Sequence, residues 1–443
     1  MASTSRPKRP LVGDRAVRTV EPGIATPPDG SERLRRLAGT AAKYLLACGP
    51  GLVVAFADTE AGSITTAATS GAQFGMKLVL LQLLLIVPLF VVQEMTVRLG
   101  IFSGKGHAAL IRQRYGLGWA TLSLTTMLIT NVAGLVTEFI GIAGVALIFG
   151  LPVAPMVIVS AVMLLGVVFT ASYKRAEYAA LALCLLELLF IPAAFAAHPQ
   201  FGTVIREGIF GSQPLGNRDY LLLVAGNIGA VIMPWMIFYQ QSATVDKRLR
   251  LPELNFARFD TALGAVATQA IMIAIVVTTA ATLFVNHQQV SDAAHAALAL
   301  VPLIGRYAGI AFGAGLLGAS LLGAFVISLA TAWAFGEAFE WPCSLNHSCM
   351  EAKRFYGLYA CCVLVAAGIV LIPNLPLVRI TVDVEAFNAF VLPIVLGFLL
   401  IMANDRRILG DRVNSMLGNV LAVGISLVCV TLGVWMAFLT VFS

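Results

Sequence analysis

Charge is what this sequence has little of. Of its 443 residues only 12% are Asp, Glu, Lys or Arg, about half the share usual in a soluble domain. That shortage excludes a solvated surface around most of the chain. Cysteine is sparse and scattered: there are seven, and Cys48, Cys184, Cys361, Cys362 and Cys429 lie in or beside apolar runs. There a thiol behaves as a small hydrophobe, and no disulfide framework is indicated. Strand-like alternation is missing, which argues against an outer-membrane barrel. No apolar segment with a cleavage site precedes the first long apolar run, so no removable signal peptide is expected. No motif for ATP binding or covalent catalysis stands out, so an enzyme is not expected. The net charge of +6 calls for no nucleic-acid partner, because basic loops follow from membrane topology.

What is there is apolar. Hydrophobic residues make up 59% of the chain and the mean hydropathy is +0.88. Runs of membrane-spanning length recur from about Lys43 onward, about eleven in all. The fold class expected is therefore an all-α polytopic membrane protein, with the lipid bilayer as its partner and no obligate protein partner evident. Residues 1–37 are rich in Arg, Lys, Pro, Ser and Thr and read as a disordered basic tail. Basic residues then cluster in every second loop: Arg98 to Arg114, Lys174 and Arg175, Lys247 to Arg258, Lys353 and Arg354, Arg406 to Arg412. The positive-inside rule places these loops and the N-terminus in the cytoplasm, with the chain in the plasma or inner membrane.

Two spans carry polar, helix-weakening centres. Span 1 holds Asp58-Thr59-Glu60-Ala61-Gly62-Ser63, and span 6 holds Gly226-Asn227 through Met233-Pro234-Trp235. A carboxylate at bilayer depth costs roughly 3 kcal/mol on insertion scales, so Glu60 needs a cavity, a partner or an ion. No Lys or Arg lies in a central span to pair with it. Spans 1 and 6 open two five-span repeats, about 40–198 and 218–405, within a core at 38–413. Residues 414–443 are then an extra transmembrane helix. Gly and Pro are common in membrane helices, but interrupted helices at matching places in two halves mark a transporter's substrate site.

Several motifs carry a family resemblance: Gly49-Pro50-Gly51, Gly71-Ala72-Gln73-Phe74-Gly75, Arg98-Leu99-Gly100-Ile101-Phe102-Ser103-Gly104-Lys105, Thr137-Glu138-Phe139-Ile140-Gly141 and Ala230-Val231-Ile232-Met233-Pro234. From about Gly49 to Arg412 the chain resembles the natural resistance-associated macrophage protein (NRAMP) metal transporters. The resemblance implies a leucine-transporter-type inverted-repeat fold and import of divalent metals such as Mn²⁺ and Fe²⁺, usually with protons. It also implies departures. Where the family has a metal-binding Asp-Pro-Gly-Asn, this chain has Glu60-Ala61-Gly62-Ser63. The family's backbone-carbonyl and thioether ligands match Ala230 and Met233, and its span-10 Gln matches Glu385. A His after Met-Pro is Trp235 here, and an Asp three residues before Glu138 is Leu135.

The expected donors to a divalent ion are Glu60, Ser63, the Ala230 carbonyl, Met233 and Glu385, the ion being substrate and no cofactor being required. Oxygen donors suit Mg²⁺, Mn²⁺ or Fe²⁺, and a thioether tips the choice toward Mn²⁺ or Fe²⁺. Met233 could also be packing. Asp58 is expected at the outer vestibule or gate and Asn227 and Trp235 at a vestibule or gate, with Asn227 alternatively capping the broken helix. Glu138 is the candidate proton relay. With Leu135 and Trp235 replacing two titratable groups, coupling is expected to be weak or absent. The rivals are a Mg²⁺ importer of the same fold, an organic-cation transporter using the Trp235, Phe238 and Tyr239 rings, and a non-transporting sensor. Cys343, His347 and Cys349 share a loop but match no zinc spacing.

Overall fold

The computed structural model describes residues 49–170, 172–288, 290, 298, 305–372 and 377–442. All of them belong to one compact unit, Ala47–Ser443. The expected tail at 1–37 lies outside the described residues.

Every regular element among the described residues is helical. The first span is split into α1 (Pro50–Ala57) and α2 (Ala61–Phe74). Gly75, at a φ of 60°, turns the chain into α3 (Val79–Ser103). The short α4 (His107–Tyr115) leads to α5 (Leu117–Ile148), α6 (Val153–Val168) and the pair α7 (Tyr173–Glu187) and α8 (Phe190–Ala196). The second split span is α9 (Arg218–Val231) and α10 (Pro234–Asp246). Then come α11 (Leu254–Thr279), α12 (Arg306–Phe339), α13 (Lys353–Val370), α14 (Leu377–Ala403) and α15 (Met416–Phe442).

Among the described residues seven stretches are long and apolar enough to cross a membrane, and Val153–Val168, Val391–Ala403 and Met416–Val428 are shorter apolar helices. One of the seven, Ala61–Ser103, holds both α2 and α3. Counted helix by helix, the described residues make eleven passes, as the hydropathy suggests.

The loops that share basic residues also share one end of the bundle. Arg112 of α4 donates to the Ala338 carbonyl at the close of α12 at 2.6 Å, and Arg114 pairs with Asp405 just past α14. Gln241 of α10 donates to the Lys105 carbonyl at 2.9 Å. The largest helix interface joins α5 and α12, which bracket the first split span.

Candidate functional site

The first break is built without proline. Asp58 N–H still donates to Val54 O at 3.1 Å, but Thr59 N–H turns back to Phe56 O at 2.8 Å and closes the end of α1. Glu60 is extended, at φ −70° and ψ 173°, and stands as N-cap of α2, although its side chain does not cap that helix. A second carboxylate caps it in part, since Ala61 N–H donates to Glu138 Oε2 on α5 at 3.3 Å. An acid at a helix N-terminus also opposes the positive end of the helix dipole. The position needs a glycine on the far side, because a Cβ at Gly323 would lie 2.5 Å from Glu138 Oε1.

The second break is dictated by Pro234. Proline cannot donate to the helix before it, and its ring drives the preceding residue out of the helical region. Ile232 and Met233 are accordingly extended, with Met233 at φ −102° and ψ 149°. Ile232 N–H still donates to Ile228 O at 3.2 Å, and the carbonyls beyond it in α9 are left without helical partners.

One hydrogen bond ties the two breaks together. Ser63 Oγ, in the first turn of α2, donates to the Ala230 carbonyl, in the last turn of α9, at 3.0 Å. Ser63, Glu60, Ala230 and Met233 are all completely buried. Trp235 is buried too, and its Nε1–H donates to Met233 Sδ at 3.0 Å. Trp235 therefore positions the thioether. A buried acid, a hydroxyl, a carbonyl and a sulfur thus gather where two helices end and two begin. The described residues hold no group of three or more His, Cys, Asp and Glu side chains placed to share a metal. A cation bound here would depend on neutral donors as much as on carboxylates.

The other expected residues fall as follows. Asp58 is buried on the α1 side of the break and accepts from Gln93 Nε2 of α3 at 3.3 Å. That side faces the basic end of the bundle. Asn227 serves as a tie: it donates to Ser70 Oγ at 2.9 Å and to Leu223 O at 2.6 Å, and accepts from Gln82 at 2.6 Å. Glu385 lies on α14, and its side chain is outside the described residues. The loop thiol Cys343 is pushed up to about 12 by burial and nearby acids, which disfavours the thiolate that a soft metal would need.

Three groups escaped the sequence reading. Glu187, at the end of α7, is fully buried and within electrostatic reach of Asp58. Its carboxylate approaches the Thr59 hydroxyl without completing a well-aligned hydrogen bond. A lone acid in an apolar run was the available signal. Gln93 bridges Asp58 and Met236 Sδ, both at 3.3 Å. Asp260 of α11 accepts from Gly49 N–H at 3.0 Å and from Gly51 N–H at 2.8 Å, capping α1. A Cβ on Gly51 would lie 2.8 Å from the Asp260 carboxylate, so the Gly-Pro-Gly motif has a steric reason.

Fold and site together define a polytopic membrane protein of the leucine-transporter type, with two interrupted helices meeting at mid-bundle. The Natural resistance-associated macrophage protein-like family model matches residues 51–439, and the chain belongs to that family. The divalent metal cation transporter MntH of Ralstonia nicotianae is 27% identical over 398 residues, which cover 86% of this chain and 88% of that protein. The MntH of Erwinia tasmaniensis is 28% identical over 381 residues, covering 83% and 88%. Among solved structures, a manganese transporter of Eremococcus coleocola matches with a TM-score of 0.70 at 17% identity, over 95% of this chain and 90% of that one. MHP1, a nucleobase-cation-symport-1 family transporter, matches at 0.54 and 10% identity, over 86% and 91%. At these identities the structures share a fold.

Proposed function

We propose that this protein imports a divalent metal cation by alternating access, with Mn²⁺ or Fe²⁺ favoured, and binds it between the two breaks. The observation that carries this reading is the Ser63–Ala230 hydrogen bond, which brings the fully buried break of span 1 against the last carbonyls of α9. Glu60 supplies the charge, Ser63 and the Ala230 carbonyl supply neutral oxygens, Met233 supplies sulfur, and Glu385 of α14 completes the proposed donor set. The relatives named as divalent metal or manganese transporters support the same class of substrate. The basic end is read as cytoplasmic, in the plasma or inner membrane. The two repeats run over about 40–198 and 218–405, with 414–443 appended. Each positive charge gains about 2.3 kcal/mol per 100 mV, so a divalent ion gains roughly 4–5 kcal/mol on entry without proton coupling. Leu135 and Trp235 in place of titratable groups favour that uncoupled mode, and Glu138 is engaged in holding α2.

A second reading, a Mg²⁺ importer, is favoured by one contact. Trp235 already donates to Met233 Sδ, and a site that relies on its oxygens suits the harder ion.

Uptake of Mn²⁺, Fe²⁺ and Mg²⁺ into proteoliposomes with an internal pH dye tests both. Glu60→Gln is expected to lower uptake of every metal at least about tenfold, the cost of one lost charge–ion contact. Met233→Ala is expected to reduce Mn²⁺ uptake while sparing Mg²⁺. Loss of neither metal in Met233→Ala would favour the oxygen-only site. Full uptake by Glu60→Gln would overturn the site.

A further inference from the structure

A crevice of about 580 Å³ opens at the basic end between α3, α11 and the segment entering α15. None of the residues at the two breaks lines it. Arg98, Arg258 and Arg412 line it against a single acid, Glu94, so its lining carries a net charge of +2. The carboxylate is fully engaged. Glu94 Oε1 accepts from Arg258 Nε at 2.9 Å and Nη2 at 2.7 Å, and Oε2 pairs with Arg98 Nη2 at 3.1 Å.

The remaining donors lack anions. Arg98 also donates from Nη1 to the Arg412 carbonyl at 2.7 Å and from Nη2 to Asn414 Oδ1 at 2.6 Å, and its buried Nε–H has no acceptor among the described residues. Arg412 has no carboxylate partner among the described residues, and its guanidinium lies 5.7 Å from the Phe102 ring centre. The other wall is apolar: Phe90 contributes to it, and Leu417 is 68% exposed.

We propose that this crevice binds an anionic phospholipid, with the phosphate held by Arg258 and Arg412 and the acyl chains lying along Phe90 and Leu417. Guanidinium groups match phosphate oxygens two at a time. Basic pockets between membrane helices on the cytoplasmic side suit such headgroups. The apolar wall singles out a lipid over a free anion. The location also gives the lipid leverage. Glu94 and Arg98 of α3 face the crevice, while Gln93 and Thr96 of the same helix bond Met236 and Gln240 of α10. An occupant therefore braces the helix against which the basic-end half of the second broken helix closes.

The test uses the full chain purified in detergent and titrated with phosphatidylglycerol, phosphatidylcholine or inorganic phosphate, read by thermal unfolding and by native mass spectrometry. Phosphatidylglycerol is expected to raise the unfolding midpoint and to leave one retained lipid. Affinity should fall about fivefold per arginine removed in Arg258→Gln and Arg412→Gln, and the exposed Arg175→Gln should change nothing. Arg412→Gln alone keeps the Glu94 pairs intact, so the proposal stays testable if Arg258→Gln folds poorly. An equal effect of phosphatidylcholine would overturn the proposal, as would a full effect of inorganic phosphate alone. So would wild-type lipid retention in Arg412→Gln.

Discussion

The two halves of the second broken helix are held by different amounts of polar structure. The basic-end half, α10, is pinned on several sides. Gln240 accepts from Thr96 at 2.7 Å and donates to Thr261 at 3.3 Å; Gln241 reaches the Lys105 carbonyl at 2.9 Å and His107 at 3.1 Å; Ser242 donates to Glu337 at 2.5 Å. Residues from Pro234 to Thr244 are all buried. The opposite half, α9, is only partly buried from Leu221 to Gly226, and the side chain that hydrogen-bonds it to neighbouring helices is Asn227. The first broken helix repeats the pattern, since Asp260 clamps the start of α1 with two backbone bonds. The structure is thus closed and bonded toward the basic end and more loosely fastened toward the other. For a transporter that alternates, the costly step is opening the basic end, because each buried partner left unsatisfied costs about 1–3 kcal/mol.

The largest expected effect comes from removing the clamp. Asp260→Ala leaves the Gly49 and Gly51 N–H groups without their charged acceptor and should cost about 3 kcal/mol of stability. Thiol labelling of a cysteine placed on α1 should rise as the basic end loosens. Unchanged labelling would mean that α1 is held by packing alone.

A smaller loss is expected on α10. Gln241→Ala frees the Lys105 carbonyl and His107 together, for about 1–2 kcal/mol, and should speed opening at the basic end. Asn227→Ala removes a tie on the other side at a similar cost. It should expose only that side to labelling. If both variants opened the same side, the asymmetry would be an illusion of one conformation.

The smallest effect is a pH slope with no change at neutrality. Burial holds His107 down at about 4, so it is neutral at pH 7 in the folded chain. Between about pH 6.5 and 4 the unfolded chain binds a proton that the folded one does not, so stability contributed by this site falls as pH falls through that window and levels off below it. His107→Gln should flatten that part of a denaturation-midpoint profile. A profile identical to wild type would show that His107 is charged or solvated.

Much of the molecule is legible in its sequence. Pro234 announces its own break because the restriction is local to the residue and its predecessor. Glu60 announces itself by its cost in an apolar run. Glu138 was readable as a buried acid, but its hold on Ala61 was not, because the two lie 77 positions apart and meet only when α5 packs on α2. Glu187 carried the same signal as Glu60 and was overlooked because nothing polar stands beside it in sequence.

The sequence by itself determined the helical passes and the places of both breaks. Those properties follow from local free energies of transfer, helix propensity and proline geometry. Only the tertiary structure decided that Ser63 meets the Ala230 carbonyl, that Asp260 clamps α1 from 209 positions away, that Trp235 orients Met233, and that Arg98 and Arg258 share Glu94. Apart from the Trp235–Met233 bond, these depend on which helix faces place distant residues side by side, and the hydropathy of a single span carries no record of its neighbour.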